Sequence, residues 1–151
     1  LGDVYKRQSI SSYFSDNYFD LYKKNTLMNK YINKQAGINA ISSYKRAFNI
    51  VESAKENLSG RPDAVLFRKE EEKHLFEKLN EIRKSFTFHE QEKDYEKLLL
   101  SLSEIKIFTD QFFDNVIVNA EDEKVKSSRL ALIRRVRHLF LSIADISHLS
   151  S

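Results

Sequence analysis

Apolar residues recur every three or four positions in four stretches of this chain, the spacing that places them on one face of an α-helix. The pattern predicts helices over residues 39–58, 67–88, 95–112 and 122–144. The third stretch is the most regular, with a continuous apolar stripe of Tyr95, Leu98, Leu99, Leu102, Ile105, Phe108 and Phe112. Residues 12–34 are rich in Tyr, Asn and Lys and predict one or two further short helices. The whole pattern indicates an all-α protein, an antiparallel helical bundle.

One linker interrupts the helical spacing, the stretch FFDNVIVNAEDE at residues 112–123. Its apolar residues alternate as they do in a β-strand, but the chain offers no partner strand. The acids at positions 121–123 favour the positive N-terminal end of a following helix. We therefore predict a buried connector between the third and fourth helices, in which Val116 and Val118 fill the junction.

Composition agrees with long helices and few loops. The chain has 151 residues, enough for about one domain with a single core. It contains three glycines and one proline, too few for the many tight turns of a β-sandwich or barrel. It contains no cysteine, which excludes disulfides and thiolate metal sites and fits a reducing cytoplasm. No apolar run approaches the roughly 20 residues that span a bilayer, so no membrane segment is predicted.

Positive charge is concentrated in the last predicted helix. The net charge of the chain is only +3, so its distribution matters more than its total. From Lys124 to residue 144 the helix carries six basic residues and no acid. Helical geometry puts Lys126, Arg134 and Arg137 on one flank of the apolar stripe, and Lys124 and Arg135 on the other. Such arginines suit phosphate and base-edge recognition, although an ordinary solvated face, neutralised by acids on neighbouring helices, would have the same spacing.

Arg129, the sixth basic residue, lies in the middle of the apolar stripe, between Val125 and Leu132. A guanidinium that points at a core needs a partner, because an unpaired buried charge is very costly. The acids of the 112–123 linker, Asp114 above all, are within plausible reach. We predict that Asp114 and Arg129 form a structural clamp rather than an RNA contact.

The remaining polar positions give weaker signals. Lys45, Arg46 and Asn49 share the polar face of the first helix, which could equally be only a solvated surface. The chain has no glycine-rich phosphate loop, no G-x-S-x-G elbow and no H-E-x-x-H motif. Its four histidines show no metal-ligand spacing. We therefore expect this chain to perform no catalysis and to bind no metal.

Four motifs occur together in the order of a known family: YKRAFNI (44–50), PDAVLF and EEEKHLF (62–76), FFDNVIVNAEDE (112–123) and SRLALIRRVRHLFLSIADISHL (128–149). Over residues 37–149 the chain resembles the C-terminal end of the bacterial glycyl-tRNA synthetase β subunit, a helical anticodon-binding domain of the DALR type. The family has Asp before Pro where this chain has Pro62-Asp63, a departure from the pattern.

The resemblance implies that the parent enzyme contains two α and two β subunits and charges tRNA(Gly) with glycine using ATP. Catalysis, with ATP and magnesium, would belong to the α subunit, and this fragment would need no cofactor. Its domain, predicted over residues 37–151, would bind the anticodon stem-loop, with loop bases recognised at exposed edges and by stacking. The candidate tRNA contacts are Lys45, Arg46, Asn49, Lys126, Arg134 and Arg137. Asp114 and Arg129 would belong to the framework.

The resemblance leaves the first residues and two alternative functions open. Residues 9–36 are predicted to be the tail of a preceding region. Residues 1–8 contain DVYKRQ, which a transposon-end adapter used in sequencing libraries would encode in frame, so we predict a non-native scar, with a native disordered terminus as the alternative. The alternative functions are a structural bundle that docks a protein partner, and the anticodon domain of an arginyl-tRNA synthetase.

Overall fold

The computed structural model describes residues 34–54, 60–92 and 95–150 of the chain. Over these residues it contains four α-helices, one 3₁₀ turn and no β-strand. The elements are α1 (Lys34–Ser53), the 3₁₀ turn (Ala64–Leu66), α2 (Glu70–Gln91), α3 (Tyr95–Asn115) and α4 (Glu123–Ser150). The predicted all-α fold is confirmed. The scar predicted over residues 1–8 lies outside the described residues, as do the short helices predicted over 12–34 except for their last residue.

Hydrogen bonds and ring contacts between helices give an up-down-up-down arrangement. Lys78 of α2 pairs with Glu104 of α3 at 3.0 Å, as expected for antiparallel neighbours joined by a short connection. The buried hydroxyls of Ser43 in α1 and Thr109 in α3 lie 3.1 Å apart. In a sequence of alternating directions, α2 and α4 both run the same way, and their N-terminal ends meet at one end of the bundle.

One hydrophobic core lies between the helices and uses the predicted stripes. The ring of Tyr44 in α1 packs against that of Phe140 in α4, with 5.5 Å between ring centroids. The other buried core residues are Ala47, Val51, Leu75, Leu79, Ile82, Leu98, Leu102, Ile105, Phe112, Val116, Leu132, Ile133 and Val136. Each described helix therefore contributes its apolar face to the same interior.

The 112–123 linker is shorter than predicted, because its first four residues continue α3 to Asn115. Phe112, the last residue of the predicted stripe, is fully buried in the core. Beyond the helix, Val116 is buried and Val118 packs against the core, as predicted, whereas Ile117 between them is exposed. The alternation therefore belongs to a short extended connector and not to a strand.

Asp122 ends the connector and caps α4. Its Oδ1 accepts hydrogen bonds from the backbone N–H groups of Lys124 at 2.9 Å and Val125 at 3.3 Å. These bonds stabilise the carboxylate, so the pKa of Asp122 lies below its usual range. The predicted start of the fourth helix at Asp122 is thus one residue early, since Asp122 is the cap and not the first helical residue.

The segment that enters α2 is tied to the first turns of α4. The backbone N–H of Asp63 donates to Ser128 Oγ at 2.9 Å. Gly60 approaches α4 so closely that a Cβ there would lie 2.6 Å from Ser127 Oγ. The next turn, capped by Asp63 through a 3.0 Å bond to the N–H of Val65, leads into α2.

Candidate nucleic-acid interface

Arg129 is buried where α4 crosses the beginning of α2, and its partner is Glu72 of α2. Arg129 Nε donates to Glu72 Oε1 at 3.0 Å, and the two side chains are 7% and 0% exposed. Arg129 also donates from Nη1 to the backbone carbonyl of Ile117 at 2.7 Å. One guanidinium therefore joins α4, α2 and the connector before α4.

Glu72 also caps the helix in which it lies. Its Oε2 accepts from the backbone N–H groups of Arg68 at 2.8 Å and Lys69 at 2.9 Å, which precede the first turn of α2. Burial by itself would raise the pKa of Glu72. The hydrogen bonds from Arg129 and from the two backbone N–H groups outweigh burial, and the pKa lies below its ordinary value.

The predicted pairing of Arg129 with Asp114 is therefore wrong. Asp114 lies in the last turn of α3 and is 70% exposed, and its carboxylate lies 3.9 Å from the guanidinium of Arg46 of α1. Glu72 takes the place of Asp114 because the N-terminal ends of α2 and α4 meet. The sequence pattern alone does not reveal that proximity.

Arg46 lies on the side of α1 that faces α3. Its guanidinium carbon stacks 4.4 Å from the centroid of the Phe113 ring. Asp110 and Asp114 approach it at 3.8 and 3.9 Å, long distances for ion pairs. Arg46 is thus partly neutralised, although nearly half of its side chain is exposed.

The other candidates do not gather around Arg46. Lys45 and Asn49 are exposed on α1, and Lys126 is half-buried near the start of α4. Arg137 extends from α4 to the opposite side of α1, where it pairs with Glu52 at 3.3 Å and stacks 5.0 Å above the Phe48 ring. The six predicted contacts therefore do not form one continuous surface.

A pocket of about 430 Å³ opens between α2 and α4, and it was not predicted from the sequence. We name it the arginine pocket. The described residues that line it are Leu79, Asn80, Arg83, Phe86, Arg134, Arg135, His138, Leu139 and Ser142. Three arginines thus converge on an apolar floor, and none of these lining residues is an acid. Glu77 and Glu81 line a neighbouring depression on α2 instead.

Arg135 lies at the centre of this positive cluster. Its Nη1 is 3.4 Å from Asn80 Oδ1, and its guanidinium carbon is 5.6 Å from the centroid of the Phe76 ring. Burial lowers the pKa of Arg135, and the nearby charges of Arg83, Arg61 and Arg134 lower it further. The guanidinium remains protonated at neutral pH, because an arginine pKa starts far above that range. The site therefore concentrates positive charge that the described lining residues do not neutralise.

Arg134, one of the predicted contacts, connects the arginine pocket to the segment before α2. Its Nη2 donates to the backbone carbonyl of Gly60, and Arg61 follows directly. A carbonyl accepts a hydrogen bond but carries no net charge, so the positive charge of Arg134 remains available to a ligand. Of the six predicted contacts, Arg134 alone lines the arginine pocket.

Sequence spacing contained a signal for this pocket. On α2, Leu79, Arg83 and Phe86 follow at i, i+4 and i+7, and on α4, Arg135, His138 and Ser142 follow at i, i+3 and i+7. Each set lies on one helical face. Combining the two faces requires knowing that α2 lies beside α4, which the spacing within one helix cannot give.

Two kinds of site are absent from the described part of the chain. None of its helices is both long enough and apolar enough to cross a membrane. Among the same residues, no three His, Asp or Glu side chains come together in a way that could hold a metal ion.

Comparison with known families decides which domain this is. Residues 40–147 match the model of the DALR anticodon binding domain. The chain belongs to the DALR anticodon binding domain family. The matched residues of this DALR domain cover all four helices except their outer ends.

Relatives of this DALR domain are β subunits of glycine–tRNA ligase. The chain is 39% identical over 111 residues to the subunit from Sulfurihydrogenibium sp. (strain YO3AOP1), covering 74% of this chain and 16% of that protein. It is 36% identical over 122 residues to the subunit from Rickettsia felis, covering 81% of this chain and 18% of that protein. The predicted resemblance is confirmed. The chain spans a fifth or less of the length of the curated relatives it matches.

Proposed function

We propose that this chain is the anticodon-recognition module of a glycine–tRNA ligase β subunit and binds the anticodon stem-loop of tRNA(Gly). The parent enzyme would attach glycine to tRNA(Gly) in the cytoplasm, with ATP chemistry in the α subunit. This chain would then contribute binding energy and selectivity and no reacting group. The relatives' names support the parent enzyme, and the family supports the role of the domain.

The observation that carries this proposal is the cluster of arginines between α2 and α4. Nucleic-acid affinity comes mainly from cations that approach phosphates, and an arginine already neutralised by a carboxylate contributes less to it. Arg83, Arg134 and Arg135 line a pocket whose described lining residues include no acid, whereas Arg129 and Arg137 are paired with carboxylates. The same cluster disfavours a purely structural bundle, in which neighbouring acids would neutralise these charges.

Fluorescence anisotropy with labelled tRNA tests the proposal. The full 151-residue chain is titrated into tRNA(Gly) and into the same tRNA with an exchanged anticodon, at several salt concentrations. We expect tighter binding to the native anticodon and affinity that falls steeply with salt. Equal affinity for both RNAs, or no binding at low salt, would contradict anticodon recognition.

The predicted clamp and the remaining contacts stay within this proposal. Arg129 would hold the framework, now with Glu72 as its partner. Lys45, Asn49 and Lys126 would make sequence-independent phosphate contacts at the edge of the interface. Arg46 and Arg137, each beside acids of its neighbouring helix, would contribute less than their charge suggests.

A further inference from the structure

We propose that the arginine pocket receives one unstacked loop nucleotide, whose base presents oxygen and ring-nitrogen acceptors to the arginines while its phosphate lies at the rim. This inference rests on the proposed function and assigns it to a particular place on the domain. It also predicts a chemical selectivity: the pocket favours the bases that carry a carbonyl oxygen (guanine, uracil and cytosine) over adenine, which carries none.

Size and composition fit a single nucleotide. The volume of about 430 Å³ lies within the roughly 300–1,000 Å³ of small-ligand sites. Leu79, Phe86 and Leu139 provide an apolar floor, which suits the face of a base. Single-stranded RNA bases are commonly held between aromatic rings or guanidinium planes, and both are present here.

The lining is rich in donors and poor in acceptors. Arginine offers only N–H donors. Asn80 Oδ1, an acceptor on the wall, lies within reach of Arg135 at 3.4 Å. Ser142 Oγ donates its hydrogen to the backbone carbonyl of His138 at 2.9 Å, so toward a ligand it can only accept. A ligand that engages the three guanidinium groups must supply acceptors, and carbonyl-bearing bases do so.

Adenine fits this wall poorly. It has no carbonyl oxygen and can offer the guanidinium groups only ring nitrogens, and its exocyclic amine is a donor that could meet only the few acceptors of the wall. No carboxylate lines the described part of the pocket to take that hydrogen bond. Because the other three bases carry a carbonyl oxygen that accepts from a guanidinium and adenine carries none, discrimination of about 5- to 150-fold against adenine is expected for a fully engaged base.

The rim supplies the charge for the phosphate. Arg61 lies in the exposed segment before the 3₁₀ turn and is close enough to Arg135 to lower its pKa. Arg83 is itself exposed on α2 and lines the pocket from the other side. Phosphate oxygens can therefore meet a guanidinium at the rim while the base enters between the helices.

Abasic scanning of the anticodon stem-loop tests the proposal. Each loop nucleotide of a tRNA(Gly) hairpin is replaced in turn by an abasic nucleotide that keeps its phosphate. Affinity for the full chain is then measured by anisotropy at constant salt. We expect one position at which loss of the base weakens binding about tenfold or more, and at which adenine binds no better than the abasic nucleotide.

Three variants identify the pocket as the place where that base binds. Arg83→Ala removes a lining charge from an exposed position. Ser142→Leu fills the pocket without changing the charge of the chain. In both variants, removal of the base at the sensitive position should weaken binding by less than about twofold. Lys73→Ala is the matched control, because Lys73 is an exposed cation of α2 that does not line the pocket, and it should retain the full loss of affinity.

The possible outcomes separate the pocket from the proposed function. If the wild-type chain prefers the native anticodon but Arg83→Ala and Ser142→Leu keep the full loss of affinity on removal of the base, the pocket assignment is wrong and the function stands. The assignment is also overturned if no abasic replacement weakens binding, or if adenine binds as well as the native base at the sensitive position. If the wild-type chain binds no RNA, both proposals fail.

Discussion

Arg129 and Arg135 lie on the same helix, six residues apart, and have opposite surroundings. Arg129 meets the carboxylate of Glu72 at 3.0 Å inside the bundle. Arg135 meets the amide of Asn80 and lies near three other arginines. Arg129 is buried and Arg135 is half-buried, and among the described residues only Arg129 has a carboxylate partner. The difference indicates that charge on α4 is used in two ways, to join helices at one end and to attract a ligand further along.

The contrast depends on which part of α2 lies beside each arginine. The first turn of α2 carries Glu70, Glu71 and Glu72, which suit the positive end of a helix dipole, and the last of them reaches Arg129. Further along α2, the side chains beside α4 are those of Asn80 and Arg83. The same pair of helices therefore supplies a neutralising partner at one end and additional positive charge beyond it.

The largest expected effect is a loss of stability when the ion pair between Arg129 and Glu72 is removed. Arg129→Ala leaves Glu72 as an uncompensated buried charge and leaves the carbonyl of Ile117 without its donor. We expect the free energy of unfolding to fall by about 3–5 kcal/mol, measured by urea denaturation at pH 7. Arg83→Ala is the control and should unfold within about 0.5 kcal/mol of the wild type. If Arg129→Ala unfolds like the wild type, the clamp has no structural role.

The second effect is a loss of stability in acid. The pKa of Glu72 lies below its ordinary value of 4.5, so the folded state favours the charged carboxylate. Its contribution is fully present above pH 4.5 and is lost as pH falls through the lower, folded-state pKa. Urea denaturation from pH 7 to pH 3 should therefore show a decline below about pH 4.5 that is smaller in Glu72→Gln. If the stability of the wild type and of Glu72→Gln declines equally, the loss of stability in acid comes from other carboxylates.

The sequence predicted the paired arginine better than the arginine pocket. Arg129 could be recognised because a charge within an apolar stripe requires a partner, a rule that operates within one helix. The prediction of Asp114 as its partner failed because proximity along the chain was used where helix packing decides. By spacing alone Arg135 could equally belong to an ordinary solvated flank, and no pattern in the sequence distinguished Arg83. Only the alignment of α2 with α4 brings them to one pocket.

Helix boundaries show the same distinction between local and tertiary information. The stripe of α3 correctly predicted a helix up to Phe112, but the three residues after it are also helical. The acids at the end of the connector were correctly associated with the start of α4, since capping is a local interaction. Periodicity thus located α3 and α4 along the chain, and packing determined where α3 ends.

The third effect concerns RNA and not stability. Arg83→Ala removes one cation from the arginine pocket, so we expect affinity for tRNA(Gly) at low salt to fall about tenfold. The slope of the logarithm of affinity against the logarithm of salt should fall by about one. Arg137→Ala is a matched comparison on α4, where Glu52 already pairs with the arginine. If Arg137→Ala weakens binding more than Arg83→Ala, neutralisation by acids does not determine which arginines meet RNA.

The smallest effect is expected at Arg46, whose surroundings are intermediate. It stacks on Phe113 and is approached by Asp110 and Asp114 at 3.8 and 3.9 Å, but it remains partly exposed. Exposed cation–π contacts and surface ion pairs each contribute about 1 kcal/mol or less, so Arg46→Ala should lower the free energy of unfolding by about that amount.

RNA binding then decides whether Arg46 resembles Arg129 or Arg135. Asp114→Asn removes a competing carboxylate without removing Arg46. If Arg46 contacts RNA, Asp114→Asn should strengthen binding to tRNA(Gly) by about twofold, and the gain should disappear in the double variant with Arg46→Ala. A gain that persists in the double variant would reflect only the general loss of negative charge. Arg46 would then belong with Arg129, as an arginine whose role is to hold two helices together.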